Sequence, residues 1–145
     1  MPRYDIGDRA LWAYVAGLFD GEGWISLIMH STGTSTLRIG MGNTDEECVL
    51  FVQSIFGGIV HKDESKDTRH KSRYVWLLHG DKAATVLGIL LPFLITKRER
   101  AFLAIDFNLS PDREYKARLT ERLSILNQRG PKLDNVIEGD EVDAS

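Results

Sequence analysis

Two carboxylates near the N-terminus stand among glycines, in a pattern that could bind a cation. Asp20 is followed by Gly21, and Glu22 lies between Gly21 and Gly23. If a helix ends here, its dipole gives a carboxylate at the C-terminal end no stabilisation, so Glu22 would gain from a nearby cation. A hard divalent ion with oxygen ligands suits such a carboxylate. An exposed acidic turn without a ligand is the alternative.

The segment before these acids predicts the helix that would carry them. Residues 8–20 form an amphipathic pattern with Asp8 as the N-cap. One broad face is apolar and would contact the chain's own core, through Leu11, Trp12, Val15, Leu18 and Phe19. The other face carries small residues and one acid: Ala13, Ala16, Gly17 and Asp20. Because small side chains let two helices approach closely, this face predicts a helix partner, with packing on a sheet as the alternative.

Two pairs of alternating segments after this helix predict two β-hairpins. Residues 24–30 and 36–42 flank a turn rich in Ser, Thr and Gly, and residues 59–63 and 74–79 flank a longer loop. Alternation predicts one apolar face and a second face that helices leave uncovered. On the uncovered face we expect Ser26, Ile28, His30, Arg38, His61, Tyr74 and Trp76. Exposed aromatic side chains would indicate a partner surface, unless they lie at the sheet edge or beneath the loop.

Length and composition exclude several classes of protein. The chain has 145 residues, of which 43% are hydrophobic and 27% charged, and this is the size of one domain. Its single cysteine, Cys48, excludes an internal disulfide and a site with several thiolates. No apolar run reaches the roughly 18 residues of a membrane span, and the N-terminus lacks a secretory signal. We therefore expect a soluble, intracellular protein.

The net charge of −3 hides an uneven distribution. Residues 134–145 contain five acids and no Lys or Arg, while the rest of the chain has 18 basic and 16 acidic residues. This balance of +2 neither requires nor excludes a nucleic-acid partner, so the positions of the basic residues decide the question.

The order of the predicted elements indicates an α+β fold. Further helices are predicted over residues 43–56, 82–91, 92–107 and 111–128. The resulting αββαββα order predicts one four-stranded antiparallel sheet with helices on one face. We expect this core over residues 1–108, a helical extension over 109–130, and an acidic, disordered tail over 131–145.

Nine residues at the end of the first predicted helix carry a family resemblance. Residues 15–23, VAGLFDGEG, resemble the signature of the LAGLIDADG homing endonucleases at every position by type. The element order over residues 8–108 agrees, as does the spacing to residues 43–45 and 92–94. Only one copy of the motif is present, and family members with one copy are similar in working as homodimers. The resemblance implies a saddle-shaped sheet and motif helices in contact at a two-fold axis.

The resemblance also implies roles for individual residues. Glu22 and the carbonyl of Gly21 would bind Mg²⁺ or Mn²⁺, with a second Glu22 nearby by symmetry. Lys97 would lie near the scissile phosphate and stabilise its charge, although a solvated helix face also explains this lysine. Asn43 would be a polar residue close to the metal, with a helix cap as an equally good explanation. Asp20 would be structural, at the helix–helix interface.

The implied partner is double-stranded DNA. The open sheet face would lie in the major groove, where Arg38 could pair with guanine and Ile28 could contact a thymine methyl group. Basic residues of the second hairpin and its loop would contact phosphates: Lys62, Lys66, Arg69, Lys71 and Arg73.

We therefore expect a homodimeric, magnesium-dependent endonuclease that cuts both strands of a long, partly palindromic DNA site. It would need no small-molecule cofactor and no membrane, and would act in the cytoplasm of a prokaryote or phage-infected cell or in an organelle matrix. Two alternatives stay open. One is an RNA maturase or non-cleaving DNA-binding protein on the same scaffold, and the other is a protein-interaction domain without a nucleic-acid partner.

Overall fold

A computed structural model describes residues 8–64, 69 and 71–137 of the chain as five α-helices and one four-stranded sheet. The helices are α1 (Arg9–Glu22), α2 (Glu46–Phe56), α3 (Gly80–Leu90), α4 (Arg98–Leu109) and α5 (Arg113–Ile137). The strands are β1 (Gly23–Met29), β2 (Ser35–Asn43), β3 (Ile59–Asp63) and β4 (Arg73–His79). They pair antiparallel in the order β1-β2-β4-β3. The predicted α+β class and αββαββα order are confirmed.

The first helix begins at Asp8, the predicted cap, and the second begins at Asp45, two residues after the predicted start at residue 43. The Asp8 carboxylate accepts the N–H of Leu11 at 3.2 Å, and the Asp45 carboxylate accepts the N–H of Glu47 at 3.0 Å. These bonds satisfy helix N–H groups that have no partner within the helix. At the other end of α2, Gly57 has a φ of 78°, a conformation that favours glycine and stops the helix.

The later helices differ from their predicted boundaries. Pro92 belongs to a short 3₁₀ turn, Leu91–Phe93, and α4 begins only at Arg98. The intervening segment is not helical, and two of its backbone N–H groups donate to the Asp20 carboxylate. Helix α5 continues to Ile137, beyond the predicted end at residue 128. Residues 138–145 of the predicted tail lie outside the described residues, as does Lys66.

Helices α1 to α4 cover one face of the sheet and leave the other face open. Directly paired residues share a face, so side chains can be followed across the strands in rows. One buried row consists of Ile25, Ile39 and Leu78. The adjacent row lies on the open face and consists of Ser26, Arg38 and His79.

Tyr74 and Trp76 lie on the helix face, so the prediction that places them on the open face is wrong. Trp76 is only 1% exposed, and its indole N–H donates to the Gly57 carbonyl at 2.7 Å. Tyr74 is half-buried against the same core. Residues 74–78 are apolar at every position, so their alternation does not indicate which side is covered. The open side of β4 consists of Arg73, Val75, Leu77 and His79.

Three aromatic rings join α1 to the sheet. The ring centroids of Trp12 and Phe56 are 5.6 Å apart, and those of Phe56 and Trp76 are 6.4 Å apart. The contact series runs from α1 through α2 to β4 and buries large apolar surfaces. It therefore fixes α1 against the covered face of the sheet.

Helix α5 packs against β1, the strand at one border of the sheet. Its Leu119 and Leu123 are buried, and the Asn127 side-chain amide donates to the Ile25 carbonyl at 2.9 Å. The extension is thus part of the folded body. None of the helices in the described ranges has the length and apolar character needed to cross a membrane.

We predict that Trp76→Phe lowers the free energy of unfolding by about 1–3 kcal/mol, because the Gly57 carbonyl loses its donor and the smaller ring leaves space. Urea denaturation measures this change. Trp24→Phe is the matched control, since Trp24 lies on the open face and its indole has no hydrogen bond to any described residue. Equal losses in the two variants would contradict this account.

Candidate functional site

The C-terminal end of α1 presents Glu22 to solvent. Glu22 is the last helical residue and is exposed, as is Gly21 before it. A Cβ at Gly21 would meet no other atom within 4 Å, so the backbone there is open to approach. Gly23 has a different role, because a Cβ there would overlap the ring of Phe19. Glycine at residue 23 therefore lets α1 pass directly into β1 over a buried aromatic ring.

Asp20 holds this helix end to the segment before α4. Its two carboxylate oxygens accept the backbone N–H groups of Ile95 at 2.8 Å and of Lys97 at 3.0 Å. The Lys97 ammonium group in turn donates to the Asp20 carbonyl at 2.6 Å. The structural role expected for Asp20 is therefore met by bonds within its own chain, while its place at a helix–helix interface stays a prediction.

Lys97 lies in the electrostatic field of two acids. The pKa of Lys97 is below the ordinary lysine value because burial disfavours the ammonium form and Arg100 adds a like charge. Asp20 and Glu22 raise the same pKa, so both carboxylates lie within electrostatic range of this lysine. The hydrogen bond from the Lys97 ammonium group to the Asp20 carbonyl thus holds this lysine at the helix end that carries Glu22, and both were predicted for catalysis.

Asp45 is a neighbour of the site that the sequence did not single out. The pKa of the Cys48 thiol is raised first by burial and then by the charges of Glu22 and Asp45. Both carboxylates therefore lie near this cysteine, at the start of α2. In the sequence, Asp45 could have been found from its position two residues after β2. Strand β2 pairs with β1, and its last residues therefore lie beside the end of α1.

Asn43, the third predicted catalytic residue, has a local structural role. Its side-chain oxygen accepts the N–H of Asp45 at 2.8 Å, which closes a turn before α2. It pairs with Tyr74 on the covered side of the sheet. Asn43 therefore stabilises the turn before α2 and is not the helix cap, which is Asp45, while its catalytic role stays a prediction.

The donors at this helix end suit a divalent cation but do not complete its ligand set. Over residues 8–64, 69 and 71–137, no three His, Cys, Asp or Glu side chains are grouped closely enough to hold a metal ion. Glu22 and the Gly21 carbonyl are hard oxygen donors of the kind that Mg²⁺ and Mn²⁺ prefer.

The small-residue face of α1 is exposed in part. Ala13 and Gly17 are exposed, and a side chain at residue 17 would meet no atom within 4 Å. Ala16 has 0% exposure and packs in the chain's own core, so its prediction as an interface residue is wrong. Large apolar side chains adjoin this surface, since Tyr14 is 60% and Ile95 is 82% exposed. A free surface of this composition favours contact with another protein chain.

Most of the predicted groove residues lie on the open face. Ser26, Ile28 and Arg38 share this face on β1 and β2, and His61 shares it on β3. His30 follows β1 and is exposed, with its Nε2 2.6 Å from the Thr36 hydroxyl. Three predicted phosphate contacts lie on the second hairpin and are also exposed: Lys62, Arg69 and Lys71.

Two glycines of β2 let side chains from the neighbouring strands lie across the open face. A Cβ at Gly40 would be 2.6 Å from Cε2 of Trp24, and a Cβ at Gly42 would be 2.7 Å from Cζ of Arg73. Trp24 was not among the predicted groove residues, although its alternation with Ser26 and Ile28 places it on the same face. Arg73 was placed on the loop, whereas its guanidinium group extends over the middle strands.

We predict that Asp20→Asn lowers the free energy of unfolding by about 1.5–3 kcal/mol, because an amide offers one acceptor for two backbone donors and removes the charge. Chemical denaturation gives the measurement. Asp81→Asn is the control, since the exposed Asp81 carboxylate accepts a side-chain bond from Asn108 at 2.8 Å and anchors no backbone. A loss no larger than that of the control would refute the anchoring role.

Solved structures of homing endonucleases share this fold. I-CvuI in complex with its target and calcium matches with a TM-score of 0.69 and 22% identity, over 84% of this chain and 85% of that chain. The archaeal intron-encoded I-Vdi141I complexed with DNA matches with a TM-score of 0.65 and 14% identity, over 90% and 98%. The meganuclease I-SmaMI bound to uncleaveable DNA matches with a TM-score of 0.55 and 18% identity, over 90% of this chain and 48% of that chain.

No protein-family model and no curated protein matches the chain. The chain therefore has the fold of the LAGLIDADG homing endonucleases, the family that its nine-residue motif resembles.

Proposed function

We propose that this protein is a homodimeric, divalent-metal-dependent endonuclease that cuts both strands of a specific, partly palindromic DNA site. The observation that carries this proposal is the exposed Glu22 at the point where α1 passes into an open, four-stranded sheet face. An acid suited to binding a metal thus adjoins a surface that fits a DNA groove. I-CvuI, I-Vdi141I and I-SmaMI, which share the fold, were all solved with DNA.

The exposed part of α1 supports the homodimer. Contact at Ala13 and Gly17 would let two copies of the helix approach closely, and Tyr14 and Ile95 would bury apolar surface beside them. The chain covers 85% of I-CvuI but 48% of I-SmaMI, so two copies have about the length of the larger enzyme. A two-fold axis along this surface would also repeat the half-site and account for a palindromic target.

Dimerisation would bring two copies of Glu22 and of the Gly21 carbonyl to the same end of the paired sheets. Carboxylates held close together repel each other, and a divalent cation between them relieves that repulsion. Mg²⁺ or Mn²⁺ bound there would supply Lewis-acid activation of water and of the leaving oxygen. Lys97, held in place by Asp20, would stabilise negative charge on the phosphate.

The open face would lie in the major groove and the second hairpin would lie along the backbone. Lys62, Arg69 and Lys71 are exposed on that hairpin and suit phosphate contacts. The catalytic residues at the end of α1, where β1 begins, would then face the centre of the site, across the minor groove. A binding protein that does not cut would share the face but would have no need of the acid at Glu22.

We predict that Glu22→Gln reduces cleavage about a thousandfold or more and leaves DNA affinity nearly unchanged, because the amide keeps the size but loses the ionic ligand. A selected DNA site, cut in the presence of Mg²⁺ and analysed on a gel beside a filter-binding assay, gives both values. Glu114→Gln on α5 removes an exposed acid far along the chain and serves as the control. Wild-type activity in Glu22→Gln would exclude the assigned role, and a wild type that binds without cutting would favour the non-cleaving alternative.

We predict that Gly17→Leu converts a dimer into a monomer and abolishes double-strand cleavage, because the larger side chain separates the two helices. The folded monomer tolerates the change, since no atom lies within 4 Å of the added Cβ. Light scattering gives the mass. Gly88→Leu is matched, because Gly88 is also an exposed helical glycine with open space around it. A wild-type chain that stays monomeric on DNA would refute the homodimer.

A further inference from the structure

Arg73 is seated over the middle of the sheet by the absence of a side chain at Gly42. A Cβ on Gly42 would overlap the guanidinium group, which lies across β2 rather than along the loop. Asp63 is the direct cross-strand partner of Arg73, yet no ion pair joins them. Among the described residues the Arg73 guanidinium has no acceptor, although it is exposed and charged. It is thus positioned and unpaired, as a ligand-binding arginine would be.

Arg38, on β2, is a second unpaired arginine on the same face of the sheet. Its Nε is buried and has no hydrogen-bond partner. Ser26 pairs directly with Arg38 on β1, and its hydroxyl oxygen is also buried without a partner. Polar atoms that are buried without partners are costly unless a bound molecule supplies the missing acceptor. His79, on the other side of Arg38, is exposed.

An apolar band separates the two arginines. The row between them consists of Trp24, Gly40 and Leu77, with the Trp24 ring lying over the bare Gly40 backbone. The open side of β2 therefore shows an arginine at residue 38, an apolar row at residue 40, and a second guanidinium group over residue 42.

We infer that each half-site of the DNA target has two G·C base pairs about four base pairs apart, the inner one read by Arg73 and the outer one by Arg38, with a thymine methyl group against Trp24 and Leu77 between them. This inference rests on the proposed function. Bidentate pairing of arginine with guanine is the commonest specific contact in the major groove, and apolar side chains contact thymine methyl groups there.

The spacing follows from the strand. Residues 38 and 42 are four positions apart, which is about 13 Å along a β-strand. Successive base pairs rise by about 3.4 Å along the DNA axis, so a strand that runs parallel to the axis spans about four base pairs over this length. The order follows from the register, because Met41 pairs with Gly23 next to Glu22 and so residue 42 lies nearer the catalytic end.

Base reading and phosphate contact predict different results for Arg73. A phosphate contact weakens binding equally on all sequences when it is lost, whereas a base contact changes preference at one position. Gly42→Ala is the sharpest variant, since it keeps the arginine and its charge but displaces the guanidinium group from its seat. Arg73→Lys keeps the charge and loses the planar fork.

The experiment selects bound and cleaved sites from a randomised DNA pool with full-length wild type, Gly42→Ala, Arg73→Lys, Arg38→Ala and Lys71→Ala. Wild type should enrich two G·C pairs per half-site, four positions apart. Gly42→Ala and Arg73→Lys should lower guanine preference about tenfold at the inner position only, and Arg38→Ala at the outer position only. Lys71→Ala should weaken binding uniformly and reduce the salt dependence. Circular dichroism and thermal melting confirm that each variant is folded.

The outcomes separate this inference from the proposed function. A wild-type protein that enriches no DNA site refutes the endonuclease proposal, and the inference with it. An enriched site without the paired guanines, or one whose inner guanine persists in Gly42→Ala and Arg73→Lys, overturns the inference alone.

Discussion

Asp20 joins the C-terminal end of α1 to backbone groups that lie 75 and 77 residues further along the chain. One carboxylate satisfies two N–H groups that would otherwise continue a helix, and the same contact holds Lys97 beside the helix end. A charged acceptor for two backbone donors is a strong local constraint. The place of Lys97 beside the end of α1 depends on it, and α4 begins directly after the anchored segment.

The two faces of the sheet are built on different packing principles. The covered face has large side chains in contact with the helices, including the aromatic series that ends at Trp76. On the open face, β2 has glycine at two successive outward positions, and long side chains from the neighbouring strands lie in the space. The open face is therefore flatter along β2, and the Trp24 ring and the Arg73 guanidinium group lie close to its backbone.

Sequence reasoning was strong where a pattern had only one physical solution. The cap at Asp8, the glycines that follow the first helix and the hairpin alternation together predicted the element order, which the structure has. The predictions were wrong where the same residues fit two different environments equally well. The run of apolar residues in β4 fits either face, and Ala16 is small enough for a core or an interface. The start of α4 depends on a contact with Asp20, which no local propensity in residues 92–97 encodes.

The amide of Asn127 has a consequence for how the protein behaves in solution. Strand β1 borders the sheet, and a border strand offers unsatisfied peptide groups to any chain that can add another strand. By bonding the Ile25 carbonyl and packing against β1, α5 occupies part of this border and hinders the addition of a further strand there. The opposite border strand, β3, is largely exposed, so the two margins of the sheet differ in their readiness to accept another chain.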